Sequence, residues 1–170
     1  SRETGEELRN HPAQGEAQAT QAVLTLLHAR GCQLAAEILT LLENGFADGA
    51  IGRWRTLYEV GVVATLIAEW GPEAARRYID HEAVETKVAF DEYVRCAPDL
   101  GEPPPSEAER MAVNANCDAM IAKYGKEFAN SKGNGWASAF LANKHPSFRD
   151  LEEAAQRSSL RMYYKVASYN

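Results

Sequence analysis

The amino-acid sequence predicts an all-α protein, a single-domain helical bundle of about five to seven helices around an apolar central helix. Apolar residues recur at three- and four-residue intervals along most of the 170 positions, with no convincing strand alternation. Stop signals fall at Asn44-Gly45, at Gly71-Pro72 and in the proline-rich stretch before Ser106. The run Val60 to Ala68 carries Thr65 as its only polar side chain, so its helix is apolar on every face and is expected at the centre of the bundle.

Residues 1–15 form a polar N-terminal segment and residues 16–170 the helical domain. The first long helix is expected from about Glu16 to Glu43, with Val23, Leu24, Leu27, Leu34, Ile38, Leu41 and Leu42 as its apolar stripe. The short link Phe46-Ala47-Asp48-Gly49 turns the chain into the central helix, so the two are expected as an antiparallel hairpin. A third helix runs from Pro72 to about Cys96, since proline is well tolerated in a first helical turn. Ala97 to Pro105, APDLGEPPP, reads as a stiff extended linker. Ser106 with Glu109 makes a capping box for a fourth helix, Glu107 to about Ala129. Trp136, Phe140 and Leu141 fit one short helix, Phe148 to Gln156 another, and Leu160 to Asn170 a last one rich in tyrosine.

Composition narrows the function classes. A chain of this length buries roughly 70% of the surface its unfolded form exposes, so it needs no staples. The three cysteines, Cys32, Cys96 and Cys117, are odd in number and lie within helical patterns, which suggests reduced thiols and shows no metal spacing. A formal charge of -6 argues against broad coating of nucleic acid, although a local basic patch on an acidic protein can still bind RNA. No stretch of eighteen uninterrupted apolar residues occurs and the N-terminus lacks a hydrophobic signal core, so the expected location is cytoplasmic, with no membrane. The chain opens on Ser1 and closes on Tyr169-Asn170 with aromatic residues still arriving, so the natural chain is expected to extend further. No metal and no cofactor are expected.

Two groups of residues carry the candidate chemistry. Arg53, Arg55 and Glu59 stand at the mouth of the apolar helix, where charge is costly unless paired and hydrogen-bonded, which makes them a structural network or a binding site. Arg76, Arg77 and His81 lie on the next helix. Arg77 is four residues before His81 and on nearly the same face, whereas Arg76 points further round. In a structural role, Arg55 pairs with Glu59 on its own helix while Arg77 and His81 complete a polar network between helices two and three. The acidic residues Asp80, Glu82, Glu85, Asp91 and Glu92 spread around the helix as a solvated face, and the last tyrosines fit core or interface.

The runs GFADGAIGRWRTLYE, ARRYIDHEAVETK, HPSFRDLEEAA and YYKVASYN resemble a bacterial family of helical proteins described as a domain of unknown function, over most of residues 17 to 170. That family in turn is similar to the HEPN superfamily of prokaryotic toxins and RNA-cleaving defence proteins, whose catalytic members carry an Arg followed after four to six residues by a His, paired across a dimer. Arg76 and His81 match that spacing, although Arg77 stands where the family places Asn, Asp or His. The resemblance implies a homodimer acting on RNA without metal, His81 serving as general acid or base and Arg77 or Arg76 as the phosphate clamp. The alternative is a non-catalytic helical module that binds a protein or a nucleotide.

Overall fold

The computed structural model describes residues 12–130 and 133–169. All regular structure among them is helical: α1 (Pro12–Glu43), α2 (Ala47–Trp70), α3 (Pro72–Asp80), α4 (Glu82–Leu100), α5 (Glu107–Tyr124), α6 (Phe148–Ala154) and α7 (Arg161–Ala167), with short 3₁₀ turns at Lys126–Ala129, Gly135–Ala139 and Ser158–Leu160. The polar N-terminal segment as far as His11, together with Ser131, Lys132 and Asn170, lies outside the described residues. The helices gather into two compact units, one taking in the chain up to Arg76 and again from Phe148, the other Arg77–Ser147.

In the first unit α1 and α2 form the expected hairpin. Glycine ends α1 because the chain must turn into left-handed backbone there: Gly45, at φ 79°, donates to the Leu42 carbonyl at 3.1 Å, and Phe46 donates to Leu41 at 2.8 Å. The helix begins at Pro12, a turn earlier than its periodicity suggests, and α2 already starts at Ala47. Val23, Leu27 and Leu34 of α1 are buried, as are Ala50, Tyr58, Val62, Leu66 and Ile67 of α2. The hairpin is completed by α6 and α7, which pack on α2 through a ring cluster. Tyr58 stacks on Trp54 at 5.5 Å and meets Phe148 edge-on at 6.0 Å, while Phe148 stacks on Tyr164 at 5.0 Å. Burial of α2 is nonetheless graded, because Val60 and Val63 stay half-buried and Gly61 and Ala68 exposed. By length and composition alone, Gln18–Glu43 is apolar enough to cross a membrane, with a mean hydropathy of 1.2 and 17% of it buried; core helices of water-soluble proteins and signal sequences pass the same test.

The helix expected from Pro72 to Cys96 is interrupted at His81, and helical bonding resumes when the amides of Val84 and Glu85 both donate to the His81 carbonyl, at 2.9 and 3.1 Å. No Gly or Pro lies between Pro72 and Pro98, so the interruption has no local cause in the sequence. The extended linker expected from Ala97 is also corrected. α4 continues through Pro98 to Leu100, because a proline in the last turn forfeits a single amide bond. Gly101, at φ 70°, donates to Pro98 and Glu102 donates to Ala97 at 3.0 Å, closing the helix as at Gly45.

In the second unit α4 packs on α5, and α5 ends at Gly125, a turn before the expected stop, with the 3₁₀ turns folded beneath it. The capping box is present: Ser106 Oγ accepts from the Glu109 amide at 3.2 Å, while the Ser106 amide donates to the Glu109 carboxylate at 2.8 Å. Ser106→Ala is expected to cost about 1 kcal/mol of stability, read as a lower urea midpoint with an unchanged slope.

Candidate functional site

The six residues singled out by sequence separate into distinct groups. Arg53 Nε pairs with Glu37 Oε2 at 3.0 Å and joins α2 to α1. Arg55 and Glu59 belong to a triad with Tyr164 of α7. Arg55 Nε donates to Glu59 Oε1 at 3.1 Å, Arg55 Nη2 donates to the Tyr164 hydroxyl at 3.2 Å, and that hydroxyl donates to Glu59 Oε1 at 2.8 Å. Burial, then the bond to Glu59, raises the Tyr164 pKa above the usual phenol value. The Arg55 guanidinium also lies over the Tyr164 ring, 5.0 Å from its centre. Beside this triad the fully buried Glu152 of α6 pairs with Arg161 of α7. A partly exposed, water-screened triad of this kind adds little net stability, whereas a buried carboxylate is expensive to leave unpaired.

Arg76 pairs with Glu73 in the first turn of α3, at 3.1 Å. Arg77 and His81 take a different course, being 5% and 3% exposed. Arg77 Nε donates to the Trp136 carbonyl at 2.8 Å, and its Nη2 donates to Ser138 Oγ at 3.2 Å. Its guanidinium lies over the rings of Tyr124 and Phe128, 4.6 and 5.2 Å from their centres. Ser138 Oγ in turn donates to the Gly135 carbonyl at 2.7 Å, so the buried cation sits in a chain of oriented dipoles on an aromatic floor.

The imidazole of His81 meets the Phe128 ring edge-on at 5.1 Å, and its Nδ1 is 3.3 Å from Glu85 Oε1. Burial pushes its pKa below the usual 6.5. The Phe128 carbonyl opposes that shift without making a hydrogen bond of normal geometry to Nε2, and the Arg77 charge adds to it. The ring is therefore neutral at neutral pH.

The structural partners of Arg77 come from a stretch in which the sequence shows little chemistry. Gly133-x-Gly135 has no phosphate-loop pattern, and its relevant feature is close approach: a Cβ on Gly135 would overlap the Phe128 carbonyl and come within 3.0 Å of His81 Nε2. Backbone carbonyls such as that of Trp136 carry no residue signature at all. Asp80, one of the acidic residues assigned to a solvated face, instead accepts from the Tyr124 hydroxyl at 2.7 Å and from Lys123 Nζ at 2.8 Å, tying α3 to α5. Among the described residues no three His, Cys, Asp or Glu side chains gather as metal ligands.

Two outcomes follow. Gly135→Ala is expected to lower stability by about 1–3 kcal/mol through overpacking, seen as a lower melting temperature, while an exposed control, Gly61→Ala, leaves stability intact or raises it. Because the folded-state pKa of His81 is depressed, its neutral form confers stability above pH 6.5 that is lost as pH falls through that value towards the folded-state pKa, since the unfolded ring binds the proton first. Melting temperatures between pH 8 and pH 5 are expected to fall more steeply for the natural protein than for His81→Gln.

No curated protein and no solved structure matches the chain. Residues 21–170, carrying both units and every residue placed above except those before position 21, match a family of unknown function, DUF5677, and the chain belongs to that family.

Proposed function

We propose that this protein is a non-catalytic helical module that acts through its outer surface in the cytoplasm, and that Arg77 and His81 hold its second unit together rather than cleave RNA. The observation that carries this reading is burial. A ribonuclease of the HEPN type needs an arginine and a histidine that reach a phosphate and a ribose hydroxyl, whereas Arg77 and His81 are 5% and 3% exposed and two of the Arg77 donors are committed to Trp136 and Ser138. Arg76 is more accessible, but it is paired with Glu73. The Arg55–Glu59–Tyr164 triad likewise joins two helices and supports a structural role for the cluster at the mouth of α2.

The test is incubation of mixed RNA at neutral pH with EDTA, using the natural protein and the His81→Ala and Arg77→Ala variants, alongside thermal melts of all three. The expected result is intact RNA in every case and melting temperatures lowered in both variants, most in Arg77→Ala, where buried acceptors lose their donor. Cleavage by the natural protein that disappears in variants still folded at the assay temperature would overturn the reading and establish the ribonuclease.

A further inference from the structure

One side of α2 borders a cleft of about 190 Å³ that lies wholly within the first unit. Tyr58, Gly61, Val62 and Thr65 recur at three- and four-residue spacing, so they share one face of the helix, and Arg157 and Leu160, from the turn between α6 and α7, close the other side. Val62 is 1% exposed and forms the floor, while Gly61, Arg157 and Leu160 are exposed and leave the mouth open to water. Gly61 keeps the cleft free. A glycine inside a helix is destabilising relative to alanine, and no packing asks for one here, because a Cβ at this position would meet nothing within 4 Å.

The turn that carries Arg157 is fixed from both ends. Gln156 takes left-handed backbone at φ 55°, alone among the described residues other than glycine. Its amide donates to the Glu153 carbonyl at 3.1 Å and that of Arg157 donates to Glu152 at 2.9 Å, the paired bonds that close a helix, usually around glycine. The Arg157 carbonyl then accepts from the Tyr58 hydroxyl at 2.8 Å, which ties the turn to α2. Non-glycine residues held in this conformation are strained, and such strain gathers at ligand clamps.

We propose that this cleft binds a small apolar carboxylate, its ring or short chain between Val62 and Leu160 and its carboxylate on the Arg157 guanidinium at the mouth. Size, donors and charge select that ligand. An apolar cavity of about 150 Å³ holds benzene, so this cleft accommodates a body of about six to eight carbon atoms and not a nucleotide. The Thr65 hydroxyl gives its proton to the Gly61 carbonyl at 2.9 Å and the Tyr58 hydroxyl gives its own to Arg157, which leaves the Arg157 guanidinium as the side-chain donor of the lining. Arg157 is also the charged residue of the lining, and no carboxylate of the described residues pairs with it, whereas Arg161 is paired with Glu152. The charges of Arg161 and Arg157 both act on the Tyr58 hydroxyl and oppose the rise in its pKa that burial causes, so the potential at that end of the cleft is positive and disfavours an amine. The planar guanidinium matches a carboxylate with two donors at once. This site goes beyond a role of the outer surface and is independent of the part assigned to Arg77 and His81.

Titration of the natural protein with benzoate, benzyl alcohol and benzylamine at fixed ionic strength, followed by amide chemical shifts, tests it. Benzoate is expected to bind with a Kd of about 1 mM, as suits so small a ligand, and to shift the amides of Tyr58, Val62, Thr65 and Leu160. Because the mouth is wet and the charge screened, its advantage over benzyl alcohol is expected to be about three- to tenfold, with benzylamine weaker still. Arg157→Gln, which keeps the carbonyl that holds Tyr58, is expected to remove that advantage and leave benzyl alcohol unchanged. Gly61→Leu, which fills the cleft from an exposed helical position, is expected to lose all three probes, with a melting temperature showing that it folds. Benzoate that shifts none of these amides at about 10 mM, binding indifferent to the charge of the probe or to Arg157→Gln, a preference for benzylamine, or binding that survives Gly61→Leu would each overturn the proposal.

Discussion

The constraint on which the second unit depends is the desolvation of Arg77. A guanidinium cannot shed its proton to escape burial, so its donors must be met by acceptors wherever the fold hides it. Here they are met by the Trp136 carbonyl and Ser138 Oγ, and its faces by the rings of Tyr124 and Phe128. Those demands bring the turn at Gly135–Ala139 against α3 and place Phe128 beneath it. They also explain why Gly135 has no side chain, since the turn can approach only where the Phe128 carbonyl and the His81 ring leave no room for a Cβ. His81 shares the same packing, its ring edge-on to Phe128 at the break between α3 and α4, where no helix-breaking residue stands.

The first unit meets a related difficulty with less at stake. Arg55 and Glu59 stand at partial exposure, where water screens them, and Tyr164 bridges the pair while its ring joins Phe148 and Tyr58. The stabilising work there belongs mainly to the aromatic cluster, which buries Tyr58 and satisfies its hydroxyl on the Arg157 carbonyl at 2.8 Å. The contrast between the units bears on function. Charged groups that are buried and bonded hold helices in register, and between Gln18 and Leu42 of α1 no exposed position carries a charge.

Much of the helical plan was legible in residue order. The α1–α2 hairpin, the capping box at Ser106 and the turn at Asn44-Gly45 all follow from local chemistry, because caps and glycine turns act within a few residues of chain. Pro98 misled for a related reason: a proline rule counts the bond it removes, and in a last turn closed by Gly101 that loss is small. The candidate residues were legible as types, since buried-looking arginine, glutamate and histidine stand out on apolar helices. Their partners were not. Trp136 contributes a carbonyl, Gly135 an absence of side chain, and Tyr164 lies more than a hundred positions from Arg55.

The sequence by itself determined that the chain is all-helical and where most helices start and stop, because periodicity and capping are properties of short segments. Only the tertiary structure decided that Arg77 and His81 point inward onto Phe128, that Asp80 is tied to Tyr124 and Lys123, and that Leu27 and Leu34 of α1 are buried while Leu26, Leu39 and Leu42 are exposed. Each of those outcomes turns on which distant backbone or ring occupies the space beside a side chain, and helical spacing, which is identical on every face of a helix, holds no record of that neighbour.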